Sequence, residues 1–287
     1  MAANPDAPVV VTAALTGARA GRLECPAIPY TPDEIAAEAR RAWEAGATVV
    51  HIHAREPDGS PTDAPEVFRE IERAVRAVCP ALLSFPTGTA DDDTTQRERT
   101  LRLVRPDLAT LDMGALDRGR PVERNEHFLR GTTLPAPWSG TQRLLVAMNE
   151  AGVQPVLTCF DSGHTRAVER LRAVGLLREP HAFDFVMGAV GGMPGTVPAL
   201  QLQAAEVPAG SVWHASTAGG DPWRVLGAAL VLGGDVRVGL QDNFYLPDGE
   251  MARSNGELVA RVVRLTRDVG RRVATLAEAR ALLGRQP

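Results

Sequence analysis

Lysine is missing from this chain altogether, and all 31 basic residues are arginine. Without an ε-amine there is no Schiff-base aldolase chemistry, no lysine-anchored pyridoxal phosphate and no P-loop lysine. A protein of this composition that made or broke carbon–carbon bonds would need a metal or another electron sink. Cysteine is scarce too: Cys25, Cys79 and Cys159 are odd in number and far apart. That pattern fits a reducing, cytoplasmic compartment and not a disulfide framework. No apolar run reaches the ~18 residues of a membrane helix. The opening MAANPDAPVV has neither the basic region nor the long apolar region of an export signal. A net charge of −4 argues against a nucleic-acid polyanion as partner. These absences leave a cytoplasmic enzyme or a binder of small molecules.

What is present is a regular alternation. The 287 residues are 44% apolar. Short apolar runs at 9–15, 48–53, 82–86, 108–113, 153–160, 183–189, 211–216 and 236–240 read as strands. They are mostly apolar on both faces, as parallel strands covered by helices should be. Helical segments lie between them. Thr31-Pro32-Asp33-Glu34 combines an N-cap, a first-turn proline and a capping-box glutamate. Ser254 to Glu257 and Thr275 to Glu278 repeat the S/T-x-x-E signal, and Gly46 and Gly233 close helices before the next strand. Eight βα units without a compositional break predict an α/β fold, a single (β/α)8 TIM barrel domain over 1–287 with an extra C-terminal helix. An open doubly wound sheet is the weaker reading, because no G-x-G-x-x-G follows the first strand. The loops at 17–30 and 117–137 are long, and the second carries a charged segment at 122–130 suited to covering the barrel or an interface.

Barrel enzymes keep their chemistry at the C-terminal ends of the strands. His51-Ile52-His53 ends the second strand, and residues two apart point the same way. Two convergent imidazoles there suit Zn2+ or a related divalent ion, although an H-x-H pair can also be simple packing. The eighth strand offers Arg237, Gly239 and Gln241 on one face, with Asp242 and Asn243 where it opens into its loop. An arginine beside a carboxylate holds it ionised and orients it, which suits a base or proton shuttle. Pro86-Thr87-Gly88-Thr89 and the stretch from Gly188 to Thr196 could bring backbone N–H groups to an anion, but tight turns explain them as well. Ser162-Gly163-His164 and His214 are further candidates for the mouth or the core. His127, His181 and the four tryptophans read as ordinary surface or packing residues.

Taken together, these segments resemble a known family. Val11 to Ala18, Thr31-Pro32-Asp33-Glu34-Ile35, Ala45-Gly46-Ala47 and His51-Ile52-His53-Ala54-Arg55 resemble the β-keto acid cleavage enzymes. The likeness continues through Ala109 to Asp112, Asp161-Ser162-Gly163, Gly191-Gly192-Met193, Val238 to Asn243, Ser254-Asn255 and Ala274 to Arg280. The resemblance implies a (β/α)8 barrel, a homotetramer and one Zn2+ per subunit. It also implies condensation of a β-keto acid with acetyl-CoA, giving acetoacetate and a new acyl-CoA. On that resemblance His51 and His53 are metal ligands, and Arg237 and Asp242 handle the proton. Thr87 and Gly88 belong to the loop that holds the substrate carboxylate.

The chain departs from the family pattern at several of these positions. The third metal ligand, a glutamate in the family, is Gln241 here. Arg19 stands for a first-loop glutamate, Pro86 for a serine, Thr89 for a glycine and Asp112 for an asparagine. Arg19, Thr89 and Asp112 are thereby expected to line the substrate site, with Arg19 suiting an anionic substrate tail. Two alternatives stay open. One is a barrel that has lost the reaction and binds a ligand. The other is an amidohydrolase-like hydrolase, which would be expected to carry its H-x-H on strand one and often a lysine.

Overall fold

The computed structural model describes residues 7–87, 93–119, 131–218 and 221–285. Eight parallel strands close into a barrel: β1 (Val11–Ala14), β2 (Val49–His51), β3 (Leu82–Phe85), β4 (Leu108–Asp112), β7 (Gln154–Cys159), β8 (Ala182–Met187), β9 (Val212–Thr217) and β10 (Asp235–Val238). Two further strands, β5 (Leu116–Gly119) and β6 (Gly131–Leu134), pair antiparallel between β4 and the following helix. They are the ends of the long fourth connection. Its charged segment 122–130, with His127, lies outside the described residues. The ring closes where β1 pairs with both β10 and β2, setting Thr12 beside Arg237 and Ala14 beside His51. The fold is the (β/α)8 barrel read from the alternation.

Among the described residues the helices are α1 (Pro32–Ala45), α2 (Pro65–Arg76), α3 (Thr95–Val104), α4 (Trp138–Ala151), α5 (Ser162–Ala173), α6 (Val197–Ala205), α7 (Pro222–Val231), α8 (Asn255–Asp268) and α9 (Leu276–Leu282). Both N-terminal boxes expected at Thr31/Glu34 and Thr275/Glu278 form, each satisfying orphan N–H groups reciprocally. At α8 only half of the box forms. Ser254 accepts from the Glu257 N–H, but the Glu257 carboxylate turns to Arg253, taking its backbone N–H at 2.8 Å and its guanidinium at 2.7 Å. A charged partner next door outcompetes a neutral amide.

The interior corrects the expectation that the strands are apolar on both faces. The lowest inward layer is apolar apart from Asp235 on β10: Val10, Val49, Leu82, Leu108, Val156 and Ala182 pack with Ala274, Ala279 and Leu283 of the C-terminal segment. α9 thus plugs the N-terminal end of the barrel. Two residues further along each strand the inward side chain is polar. Thr12, His51, Ser84, Thr110, Thr158, Asp184, His214 and Arg237 line the cavities above that floor. Because strand side chains alternate, each step of two climbs one layer, and the barrel passes from oil to chemistry in one step. The outward faces carry the main apolar core beneath the helices, with Phe183 and Phe185 fully buried and Trp213 stacked on Phe185 at 5.5 Å.

Candidate active site

His51 is buried at the end of β2, and its Nδ1 lies 3.1 Å from the hydroxyl oxygen of Ser84 on β3. That bond engages one ring nitrogen and leaves Nε2 as the free one. Burial drives the His51 imidazole well below its usual range, with Arg237, His53 and His214 adding repulsion. The ring is therefore neutral, the form that can donate a lone pair. Regular strand geometry stops at His51, two residues earlier than expected. His53 is nevertheless held in line, because the Thr16 hydroxyl accepts from its N–H and donates to its carbonyl, both at 2.8 Å. The two rings lie with centroids 5.1 Å apart and planes at 78°, and both face one cavity.

The opposite wall comes from β10. Arg237 Nε and Nη2 donate to the two oxygens of Asp242 at 2.9 and 3.0 Å, a bidentate pair. Gly239 makes this corner possible. It has φ +147°, and a Cβ there would sit 2.1 Å from the carbonyl oxygen of Ala14. The close approach lets the Gln241 N–H bond the same carbonyl at 3.1 Å and turns Gln241 into the cavity. From behind, buried Asn255 at the start of α8 accepts from the Leu240 N–H at 2.9 Å and is itself held by Glu38. The Gln241 amide oxygen is buried and has no hydrogen-bond partner.

Asp184 on β8 is the residue that sequence reasoning missed. It is fully buried and accepts from Arg237 Nη1 at 2.7 Å, so one guanidinium holds two carboxylates. His214 Nε2 stands 3.1 Å from the other Asp184 oxygen, close enough for an ion pair but off hydrogen-bond alignment. The two carboxylates are driven apart. Burial opposes ionisation of Asp184, but Arg237 and His214 outweigh it and hold the group down at about 2. At Asp242 burial prevails over Arg237, with Asp184 adding repulsion, and the carboxyl is raised. Paired acids with separated affinities are the usual arrangement for one fixed charge and one exchangeable proton. The available signal was an acid interrupting the apolar run Ala182-Phe183-Asp184-Phe185-Val186-Met187, at a position in phase with the inward face.

His51, His53, Asp184, Arg237, Gln241 and Asp242 line one cavity at the C-terminal mouth, open to solvent. Its apolar side is Leu116, Phe160, Val186 and Ala189; Pro86, Thr110, Thr158 and Asp112 complete the wall. Arg19 stands exposed at the rim on the first loop, with no partner among the described residues. Buried Arg55 grips that loop through the carbonyls of Thr16 and Ala20 at 3.2 and 2.6 Å. Thr87 is not in the wall: its hydroxyl donates to the Thr110 carbonyl, and its own carbonyl accepts from Arg97 at 3.0 Å. Gly88 and Thr89 lie outside the described residues. The glycines after β8 serve packing, since a Cβ on Gly191 would meet the Asp117 carbonyl at 2.4 Å. His164 accepts from the Phe160 N–H at 3.3 Å beside the N-cap Asp161 and is likewise structural.

Comparison with known proteins decides the family. A family model described as beta-keto acid cleavage enzyme matches residues 8–284. The chain belongs to the β-keto acid cleavage enzyme family. It is 37% identical over 276 residues to the 3-keto-5-aminohexanoate cleavage enzyme of Fusobacterium nucleatum, covering 96% of this chain and 97% of that one. The enzyme of the same name from Acetoanaerobium sticklandii is 36% identical, covering 96% and 98%. A 3-oxoadipate:acetyl-CoA acetyltransferase of Cupriavidus necator is 30% identical, covering 96% and 95%. Among solved structures, apo ObcA superposes with a TM-score of 0.74 at 20% identity, covering 90% of this chain and 66% of that one. That likeness is one of fold. As a member of this family, the chain is an enzyme.

Proposed function

We propose that this chain condenses a β-keto acid with acetyl-CoA and releases acetoacetate and a new acyl-CoA. The observation that carries the reading is the convergence, on one cavity, of His51, His53 and the orphaned Gln241 oxygen with the Arg237-held Asp242. Among the described residues no three His, Cys, Asp or Glu side chains gather as a metal site, so an ion bound here would draw on two imidazoles and a carboxamide. This set fits a divalent ion: a buried carbonyl oxygen without a donor wants a cation. The charge balance agrees. Among the described residues, Asp63, Asp112, Asp184 and Asp242 line the cavity with Arg19 and Arg237, so added positive charge would favour an anionic keto acid there. Zinc or another divalent ion held by His51, His53 and Gln241 would polarise the keto oxygen.

The chain's own residues do the rest. Asp242, oriented by Arg237, takes a proton from the carbon between the two carbonyl groups. That carbon attacks the acetyl carbonyl and the CoA thiolate leaves. The thiolate then adds to the β-carbonyl, the bond between the α- and β-carbons breaks, and the proton held by Asp242 returns to the carbon. Every atom of both reactants reappears in acetoacetate and the acyl-CoA. Phe160, Leu116 and Val186 offer an apolar wall to the carbon chain of the substrate.

Arg19, presented on a loop that Arg55 holds and lacking a partner among the described residues, selects a keto acid whose tail ends in an anion. The apolar outer faces of α6 and α7, where Val197, Leu202 and Val231 are exposed and Arg224 is the one charged residue, support a homo-oligomer, a tetramer by family likeness. Three buried free thiols suit a cytoplasmic setting. The test is elemental analysis of the purified protein together with acetyl-CoA-dependent turnover of 3-oxo acids with anionic, neutral and cationic tails. About one zinc per chain and fastest turnover of 3-oxoadipate are expected. Turnover of none of the acids by metal-loaded protein would favour a ligand binder, and preference for an aminated tail would remove Arg19 from recognition.

A further inference from the structure

The guanidinium of Arg237 is gripped on two edges at once. Nε and Nη2 face Asp242 on the loop after β10, and Nη1 faces Asp184 on β8. We propose that Asp184 is a positioning residue that fixes the Arg237 plane and, through it, the single orientation in which Asp242 meets the substrate. The inference rests on the reading of Asp242 as the base.

Three observations support it. Asp184 is the immobile end of the chain of contacts: it sits mid-strand between Phe183 and Phe185, both fully buried. Its second oxygen is also engaged, with His214 Nε2 at 3.1 Å and the Ser216 hydroxyl at 3.4 Å, so the carboxylate has little freedom to rotate. Asp242, by contrast, lies beyond the end of regular strand structure, in a turn closed by its N–H on the Gly239 carbonyl at 3.0 Å. A side chain with as many torsions as arginine, held only by an acid on a turn, would share that acid's freedom. Anchored on β8, it transmits the rigidity of the barrel to the turn. Stability alone does not call for Asp184. An apolar side chain could fill a barrel layer with less desolvation penalty than a buried ion pair.

The test compares Asp184→Asn, Asp242→Asn and the double variant in the metal-loaded enzyme, with acetyl-CoA and 3-oxoadipate as substrates. Asparagine keeps the volume and an acceptor oxygen but removes the charge that holds the guanidinium. For Asp184→Asn, kcat should fall by about 10- to 100-fold while KM for both substrates stays within about threefold. In the Asp242→Asn background the same change should add less than about twofold, because Asp184 acts through Asp242. Losses that multiply in the double variant, a loss confined to KM, or an unchanged kcat would each overturn the inference. Should Asp184→Asn fail to fold, His214→Gln and His214→Leu replace it. Glutamine keeps a polar group beside Asp184, so it should retain more kcat than leucine; equal losses would count against the proposal. The two readings fail separately. A fully active Asp242→Asn removes the base itself, whereas an inactive Asp242→Asn beside a fully active Asp184→Asn removes only the role given to Asp184.

Discussion

At Gln241 a buried carboxamide oxygen faces the cavity with no donor to satisfy it, beside an acid and an arginine that satisfy each other. A carboxylate at this position would add a full negative charge to the two imidazoles. Gln241→Glu is therefore expected to raise zinc affinity by about tenfold or more, measured by competition against a calibrated chelator. Equal affinities would take Gln241 out of the ligand set. At this scale much of the site was legible. His51, His53, Arg237 and Asp242 followed from strand alternation and from the end of the barrel on which they fall. Thr87 shows the limit, since no sequence pattern says whether a threonine hydroxyl serves a ligand or a neighbouring carbonyl. Here the Thr110 carbonyl, exposed by the pleat of β4, takes it.

Among the elements, α9 was foreseen as an extra helix, but its task was not. It brings Ala279 and Leu283 against the floor layer and so closes the end of the barrel opposite the chemistry. Leu283 is 5% exposed. Leu283→Ala should cost about 2–5 kcal/mol, the usual range for a leucine truncated in a core. The expected readout is a lower urea midpoint with kcat unchanged in the folded range. A drop in kcat without loss of stability would contradict the division between floor and mouth. Helix starts were the most readable features, because capping is a local negotiation between residues three apart. The half-formed box at α8 failed through an equally local competitor, Arg253.

For the molecule as a whole, one buried acid in the floor makes stability depend on pH. Asp235, on the floor of β10 and level with His214 of β9, accepts from the Val10 N–H at 2.8 Å. Burial outweighs that bond and the nearby His214 and Arg271, pushing its carboxyl up to about 6. A group raised in the fold contributes its full share below the unfolded value of about 4 and loses it as pH rises through about 6. Above pH 7 the penalty approaches about 3 kcal/mol. Asp235→Asn keeps an acceptor for Val10 and cannot ionise. It should melt about 5–10 °C higher than the parent at pH 8 and at nearly the same temperature at pH 4. Identical melting curves at both pH values would mean that Asp235 is not a buried acid with a raised affinity for its proton.

The amino-acid order alone determined the barrel, because eight apolar runs separated by capped helices have few other ways to bury their faces. It also determined the direction of His51 and Arg237, since alternation is a property of the extended backbone itself, whereas His53, beyond the end of β2, is kept in line by Thr16. Only the tertiary structure decided what these groups meet. Asp184 lies 53 positions before Arg237, and the closed ring of strands brings them to 2.7 Å. The same closure presses Gly239 onto Ala14 and aims the Gln241 oxygen inward. Contacts across a barrel depend on register and shear, which are set by all eight strands together and are written in no single one.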